Sequence, residues 1–166
     1  MLKQLRPAIA MLGLMSLITG VAYPLAVTGI TQLAFPEQAN GSLVRDAGGR
    51  VVGSALIGQP FAGATYLHPR PSAAGDGYDA AASSGSNLGP LNPDLIARVK
   101  TDADALQSEA GAKAIPADAV TASASGLDPH ISPAYAELQI ARIASARGVG
   151  EAQVREVIRQ HEEDRT

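Results

Sequence analysis

Apolar and polar positions divide the chain into two unequal parts. Residues 7–35 form an unbroken run of 29 positions without a charge, rich in Leu, Ile, Val and Met. A helix rises about 1.5 Å per residue and about 20 apolar residues cross a hydrocarbon core of about 30 Å, so this run spans a bilayer with room for tilt. Beyond it the pattern shortens. Residues 42–45 and 50–57 read as a β-hairpin closed by Asp46-Ala47-Gly48-Gly49, with Gly58-Gln59-Pro60-Phe61 ending the second strand. Over residues 68–93 the large apolar side chains are only Tyr78, Leu88 and Leu91, among four Pro and four Gly. A connection of that length inside a domain is functional or disordered.

Helical spacing then returns. Asn92-Pro93-Asp94 combines a capping residue, a first-turn Pro and an acid at the dipole's positive end. Leu95, Ile96, Val99, Ala103 and Leu106 continue that helix on one face. Residues 108–119 read as a surface excursion and 119–122 as a short strand. A second helix starts at Ser132-Pro133, buries Tyr135, Leu138, Ile140 or Ala141, and Ile143, and closes at Arg147-Gly148. A last helix over 151–163 buries Val154, Val157 and Ile158. The pattern predicts an α+β chain: a cytoplasmic N-terminus and one transmembrane helix in residues 1–36, then a single loop-rich α+β domain in residues 37–166.

Composition and charge sharpen this picture. Of 45 apolar side chains larger than Ala, 17 fall within residues 1–36, so residues 37–166 share 28 and their core is thin. The absence of Cys excludes disulfides, thiolate metal sites, cysteine nucleophiles and an acylated lipoprotein N-terminus. Lys3 and Arg6 precede the apolar run and all 16 acidic residues follow it. By the positive-inside rule the N-terminus is cytoplasmic and residues 37–166 are exported. A cleaved signal peptide, cut after Gly20-Val21-Ala22, is the competing reading, but apolar residues continue through Leu25, Val27, Ile30 and Leu33. The net −5 of residues 37–166 and the lack of Trp argue against nucleic acid as a partner. Within the span, Ser16 with Gly20 and Ala22 with Ala26 are small residues four apart, which favours close approach of another membrane helix. Pro24 should kink the helix unless a neighbour compensates.

Candidate chemistry is concentrated in loops. Ser83-Ser84-Gly85-Ser86-Asn87-Leu88-Gly89-Pro90 offers hydroxyls, an amide and backbone N–H groups, the materials of an anion- or carbonyl-binding loop or of a self-bonded turn. No Lys follows its glycines, so it is not a Walker A loop. The segment Thr121-Ala122-Ser123-Ala124-Ser125-Gly126-Leu127-Asp128-Pro129-His130-Ile131-Ser132-Pro133 invites a hydrolase triad, but it lacks a Gly-x-Ser-x-Gly elbow. The competing reading has Asp128 organising the turn and His130 bonding its own loop. Arg70, held between Pro69 and Pro71, is placed to pair with a carboxylate. His68, His130 and His161 share no ligand spacing, so no metal site is expected.

With these segments laid out, the chain resembles the C subunit family of the Kdp-type potassium-transporting ATPase (KdpC). The resemblance runs in order through the N-terminal span, residues 53–61, Tyr66, Arg70-Pro71-Ser72-Ala73, residues 83–90, residues 121–132 and Ala146-Arg147-Gly148. It implies a non-catalytic, single-pass subunit of a bacterial inner-membrane complex that imports K⁺ at the expense of ATP. Its implied partners are a channel-like A subunit, a P-type ATPase B subunit, a small F subunit and membrane lipid. It implies a role in assembly and activation, described as that of a catalytic chaperone raising the ATPase subunit's affinity for ATP, with no tightly bound cofactor. Gln153 matches a position linked to nucleotide. Charge asymmetry nonetheless places Gln153 outside, whereas ATP is cytoplasmic, so an effect on ATP affinity is expected to be indirect.

The implied interaction or ligand residues are Arg70, Ser83, Gly85, Ser86, Asn87, Gly89, Pro90, Asp128, Pro129 and His130. Ser84 and Ala124 stand where the family usually has Gly. The family also usually continues past the last helix with a Gly-Glu-Pro turn, a Val-Asn-Val strand and a Leu-rich ending, whereas this chain stops at Arg165-Thr166. Lower stability than in full-length relatives is the expectation. Two readings from other classes stand beside this one: a membrane-tethered exported hydrolase using Asp128, His130 and a Ser, and an exported module binding a small anion through the Ser/Asn/Gly loop.

Overall fold

A computed structural model describes residues 2–111 and 114–163. Residues 112 and 113 of the expected surface excursion, and the chain's end at Arg165-Thr166, lie outside the described residues. The chain forms two compact units, residues 1–54 and 55–166.

The first unit is built on one helix of 30 residues, Leu5–Ala34, long and apolar enough to cross a membrane. It runs as α1 (Leu5–Leu17), a π-helical turn (Ile18–Ala22) and α2 (Tyr23–Ala34). Pro24 lies in the first turn of α2, directly after the π turn. Large side chains along the helix, among them Leu12, Leu17 and Leu25, are exposed. After a short α3 (Pro36–Ala39), β1 (Leu43–Arg45) pairs antiparallel with β2 (Val51–Ser54). Asp46 makes the turn, its Oδ1 accepting from the backbone N–H groups of Gly48 and Arg50, while Gly49 takes φ +80°. The second strand stops at Ser54, short of the expected Ile57. The chain then joins the second unit, where the Gly58 N–H donates to the Leu127 carbonyl.

In the second unit, a long non-repetitive segment broken only by a 3-10 turn at Ala80–Ala82 leads to α4 (Pro93–Ala110). Asn92 caps α4 through its side chain, and Gly111 ends it in the left-handed conformation. Leu95, Val99, Ala103 and Leu106 turn inward as their spacing predicts, but Ile96 is 54% exposed. The strand expected at 119–122 is instead a single helical turn, α5 (Ala117–Val120), with Thr121 extended after it. The Thr121 hydroxyl donates to the Ala117 carbonyl and closes that turn.

Ser132 caps α6 (Pro133–Leu138) as expected, and Gly148 ends α7 (Ile140–Arg147) at φ +66°. The single helix anticipated here is interrupted at Gln139, whose N–H tightens onto the Ala136 carbonyl three residues back. The last helix, α8 (Glu151–Gln160), is shorter than expected, and Val157 is 53% exposed rather than buried. Among the described residues the buried apolar ones are Ala74, Ala119, Val120, Tyr135, Ala136, Ile140, Ile143 and Ala144, half of them alanines, so the core is as thin as composition implies.

Candidate functional site

The loops singled out in the sequence are knitted together. Gly126, buried and at φ +68°, is the pivot: a Cβ there would lie 2.6 Å from the Ser84 carbonyl oxygen and 2.7 Å from the Ala74 nitrogen. The Ser72 hydroxyl donates to the Gly126 carbonyl at 2.6 Å and accepts from the Ala74 and Tyr78 N–H groups. Ser83 Oγ donates to the Ser125 carbonyl, and the Ser84 N–H donates to the same oxygen. Gly85 lies against Ala124, whose carbonyl oxygen a Cβ would meet at 3.0 Å. Gly58 is pressed between the Tyr78 ring and the Asp128 carbonyl, at 2.5 and 2.9 Å from where a Cβ would stand.

Arg70 crosses this junction and pairs with a carboxylate, as its rigid setting predicts. Its Nη1 donates to Asp128 Oδ2 at 2.8 Å, and Nε and Nη2 reach the Thr121 carbonyl. The other carboxylate oxygen accepts from the His130 N–H and lies 3.2 Å from His130 Nδ1. Burial works to raise the Asp128 carboxyl, but the hydrogen bonds from His130 and Arg70, with the Arg70 charge, outweigh it and hold it below the ordinary value. Burial and the neighbouring Asp128 push the Tyr78 phenol up, and its hydroxyl donates to the Arg70 carbonyl at 2.7 Å. Asp128 thus organises its own turn and His130 bonds within it, with the His130 side chain 77% exposed.

The neighbouring hydroxyls are otherwise engaged. Ser132 Oγ donates to Asp118, and Ser123 and Ser125 Oγ stand 3.4 Å apart. Ser86 is half-buried, whereas Asn87, at φ +53°, and Leu88, Gly89 and Pro90 are exposed. Pro129 is half-buried and, with His130, His161, Glu162 and Glu163, borders a cleft of 500 Å³. Among the described residues no three His, Cys, Asp or Glu side chains gather as metal ligands would.

Gln153 belongs to a different feature. It lines an apolar cleft of 340 Å³ with Tyr66, Leu67, Ile143, Val154 and Ile158. Arg147 closes one side, its Nε donating to the Thr65 carbonyl and its guanidinium 5.7 Å over the Tyr66 ring. Phe61 stacks on the same Tyr66 ring, their centroids 5.3 Å apart.

Sequence reasoning passed over Gln139 and Arg142, which hold the 64–68 segment. Gln139, only 3% exposed, accepts from the His68 N–H and donates to the His68 carbonyl. Arg142 donates to the Ala64 and Tyr66 carbonyls and to Gln139 Oε1, and its Nε lies 2.7 Å from Glu109. The available signal was a polar residue on the helical face that also carries Tyr135, Ala136, Ile140 and Ile143.

Comparison with known proteins assigns this arrangement. A family model described as the K⁺-transporting ATPase c chain, KdpC, matches residues 5–166. The chain belongs to the KdpC family. It is similar to the potassium-transporting ATPase KdpC subunit of Caulobacter vibrioides, 66% identical over 158 residues that cover 95% of this chain and 80% of the relative. The KdpC subunit of Mycobacterium tuberculosis is 54% identical over 168 residues, covering 99% and 88%. That of Koribacter versatilis is 50% identical over 165 residues, covering 99% and 85%. The KdpC match takes in both the long apolar helix and the knitted loops, and within the second unit Gly58, Arg70, Ser72, Ser83, Ser84 and Gly85 of the resembling segments meet residues 121–128. Ser16, Gly20, Ala22 and Ala26 lie exposed on the helix.

Proposed function

We propose that this chain is a non-catalytic subunit of an ATP-driven K⁺ import complex of the bacterial inner membrane, anchored by its single span with residues 37–166 exported. Its partners are a channel-like A subunit, a P-type ATPase B subunit and a small F subunit, with lipid around the span, and its work is assembly and activation. The observation that carries the reading is the family match over residues 5–166, which includes anchor and domain together. Lys3 and Arg6 before the apolar helix, with Glu37 after it, support a cytoplasmic N-terminus.

The Ser83-to-Pro90 loop is the surface we assign to docking on the channel-like subunit. Ala124, Ser125 and Gly126 hold its base, on the segment that continues into Asp128, Pro129 and His130 with Arg70 paired to Asp128, and Leu91, 88% exposed, follows its tip. K⁺ is cargo of the complex. ATP stays on the cytoplasmic face, so Gln153 and its apolar cleft influence ATP affinity only through a partner whose states the exported domain distinguishes.

Two experiments test this reading. A bacterium lacking its own C subunit should regain growth on limiting K⁺ when supplied with the chain; stable expression without recovery would contradict the proposal. Because the chain has no Cys, a single Glu37→Cys or Gln153→Cys substitution reports topology. Labelling of intact cells by a membrane-impermeant maleimide is expected at both positions, and protection of Gln153→Cys would reverse the assigned orientation.

A further inference from the structure

The membrane helix carries a backbone irregularity at its centre. In the π turn the Tyr23 N–H reaches back five residues to the Ile18 carbonyl, not the four of an α-helix. The next residue, Pro24, has no N–H to give. The Thr19 carbonyl is therefore left without a donor at either helical spacing: Tyr23, four residues on, serves Ile18, and Pro24, five residues on, serves nothing. The Thr19 hydroxyl is committed elsewhere, donating to the Met15 carbonyl at 2.7 Å.

Depth decides what can satisfy this oxygen. Thr19 stands at the middle of the 30-residue helix, roughly 20 Å along the axis from either end at about 1.5 Å per residue. Water and lipid headgroups do not reach the centre of a hydrocarbon core about 30 Å thick, and there a bare carbonyl is costly. A side chain on a neighbouring helix supplies a donor. Space for it exists, since a Cβ added at Gly20 would meet nothing within 4 Å, and Ser16 lies one turn away. A second copy of this chain would present Gly20, Val21 and Ala22, which have no side-chain donor, and a Thr19 hydroxyl committed to Met15, but also the hydroxyls of Ser16 and Tyr23, so a second copy is the competing occupant for the test.

We propose that the Thr19 carbonyl is the acceptor for a hydroxyl or amide side chain on a transmembrane helix of another pump subunit, and that the π turn and Pro24 exist to expose it. The proposal rests on the pump-subunit reading. It adds the acceptor atom and the chemistry of the partner.

The test uses the full chain co-expressed with the rest of the pump. A photoreactive phenylalanine analogue at Tyr23, one turn from Thr19, is expected to cross-link to a larger membrane subunit, while the same analogue at Leu25, on another face, is not. Cross-links to a second copy, or to lipid alone from both positions, would overturn the proposal. Pro24→Ala restores an N–H and lets the turn close, so retention on the pump through detergent washes should fall about threefold to tenfold with membrane insertion unchanged. Equal retention of Pro24→Ala and the unaltered chain would overturn the acceptor role alone. Failure of the unaltered chain to be retained would instead overturn the pump-subunit reading beneath it.

Discussion

Asp128 and Gly126 carry the loop junction by different means. Gly126 does so by having no side chain. Its left-handed backbone already costs an L-residue about 1–2 kcal/mol, and a Cβ would also collide with the Ser84 carbonyl and the Ala74 nitrogen. Gly126→Ala is therefore expected to lower the thermal midpoint of the purified chain in detergent more than Gly148→Ala, which is also left-handed but has nothing within 4 Å; equal shifts would mean that the junction is not tight. Asp128 acts through charge. Its carboxyl is held below the ordinary value by the His130 and Arg70 hydrogen bonds against the opposing effect of burial. A depressed carboxyl contributes stability that is fully present above the unfolded pKa of about 3.9 and is lost as pH falls through the lower folded value. The stability gap between the unaltered chain and Asp128→Asn should thus be widest near neutral pH and close below about pH 4. A gap independent of pH would remove the Arg70–Asp128 pair as its source.

At the scale of elements, local chemistry was legible and distant chemistry was not. Asn92, Ser132 and Gly148 announced helix ends because capping is decided within a few residues. Ser132→Ala is expected to cost about 0.5–2 kcal/mol, with Ser132→Thr recovering much of it, measured by denaturant unfolding; no loss would show α6 held by packing alone. The stretch at 119–122 misled because four small or branched residues fit a strand or a helical turn, and the Thr121 hydroxyl settles it. Gln139 was illegible for another reason. Its partner His68 is 71 residues away, so burial of a polar side chain there depends on a contact that no window of sequence contains. Val157 fits the inward spacing of α8, yet it borders an open cleft. Periodicity identifies a face but not what covers it.

For the whole molecule, the division at residue 54 puts the membrane helix and hairpin in one unit and the knitted loops with α4 to α8 in the other. The long apolar helix was readable from an uncharged run. The loop junction was not legible, because its hydrogen bonds join segments such as Ser72 and Gly126 that lie 54 residues apart, and the ordered resemblance picked out those segments without joining them. Each unit by itself suits the proposed subunit role: one has a long apolar helix with exposed small residues, the other a braced, non-repetitive surface. The most direct measurement is a mild-detergent pull-down of the tagged full chain from its native membranes, quantified by mass spectrometry. The account predicts recovery of a P-type ATPase and a channel-like membrane protein, each near one-to-one with this chain. Recovery of the chain alone, from membranes in which both proteins are present, would contradict it.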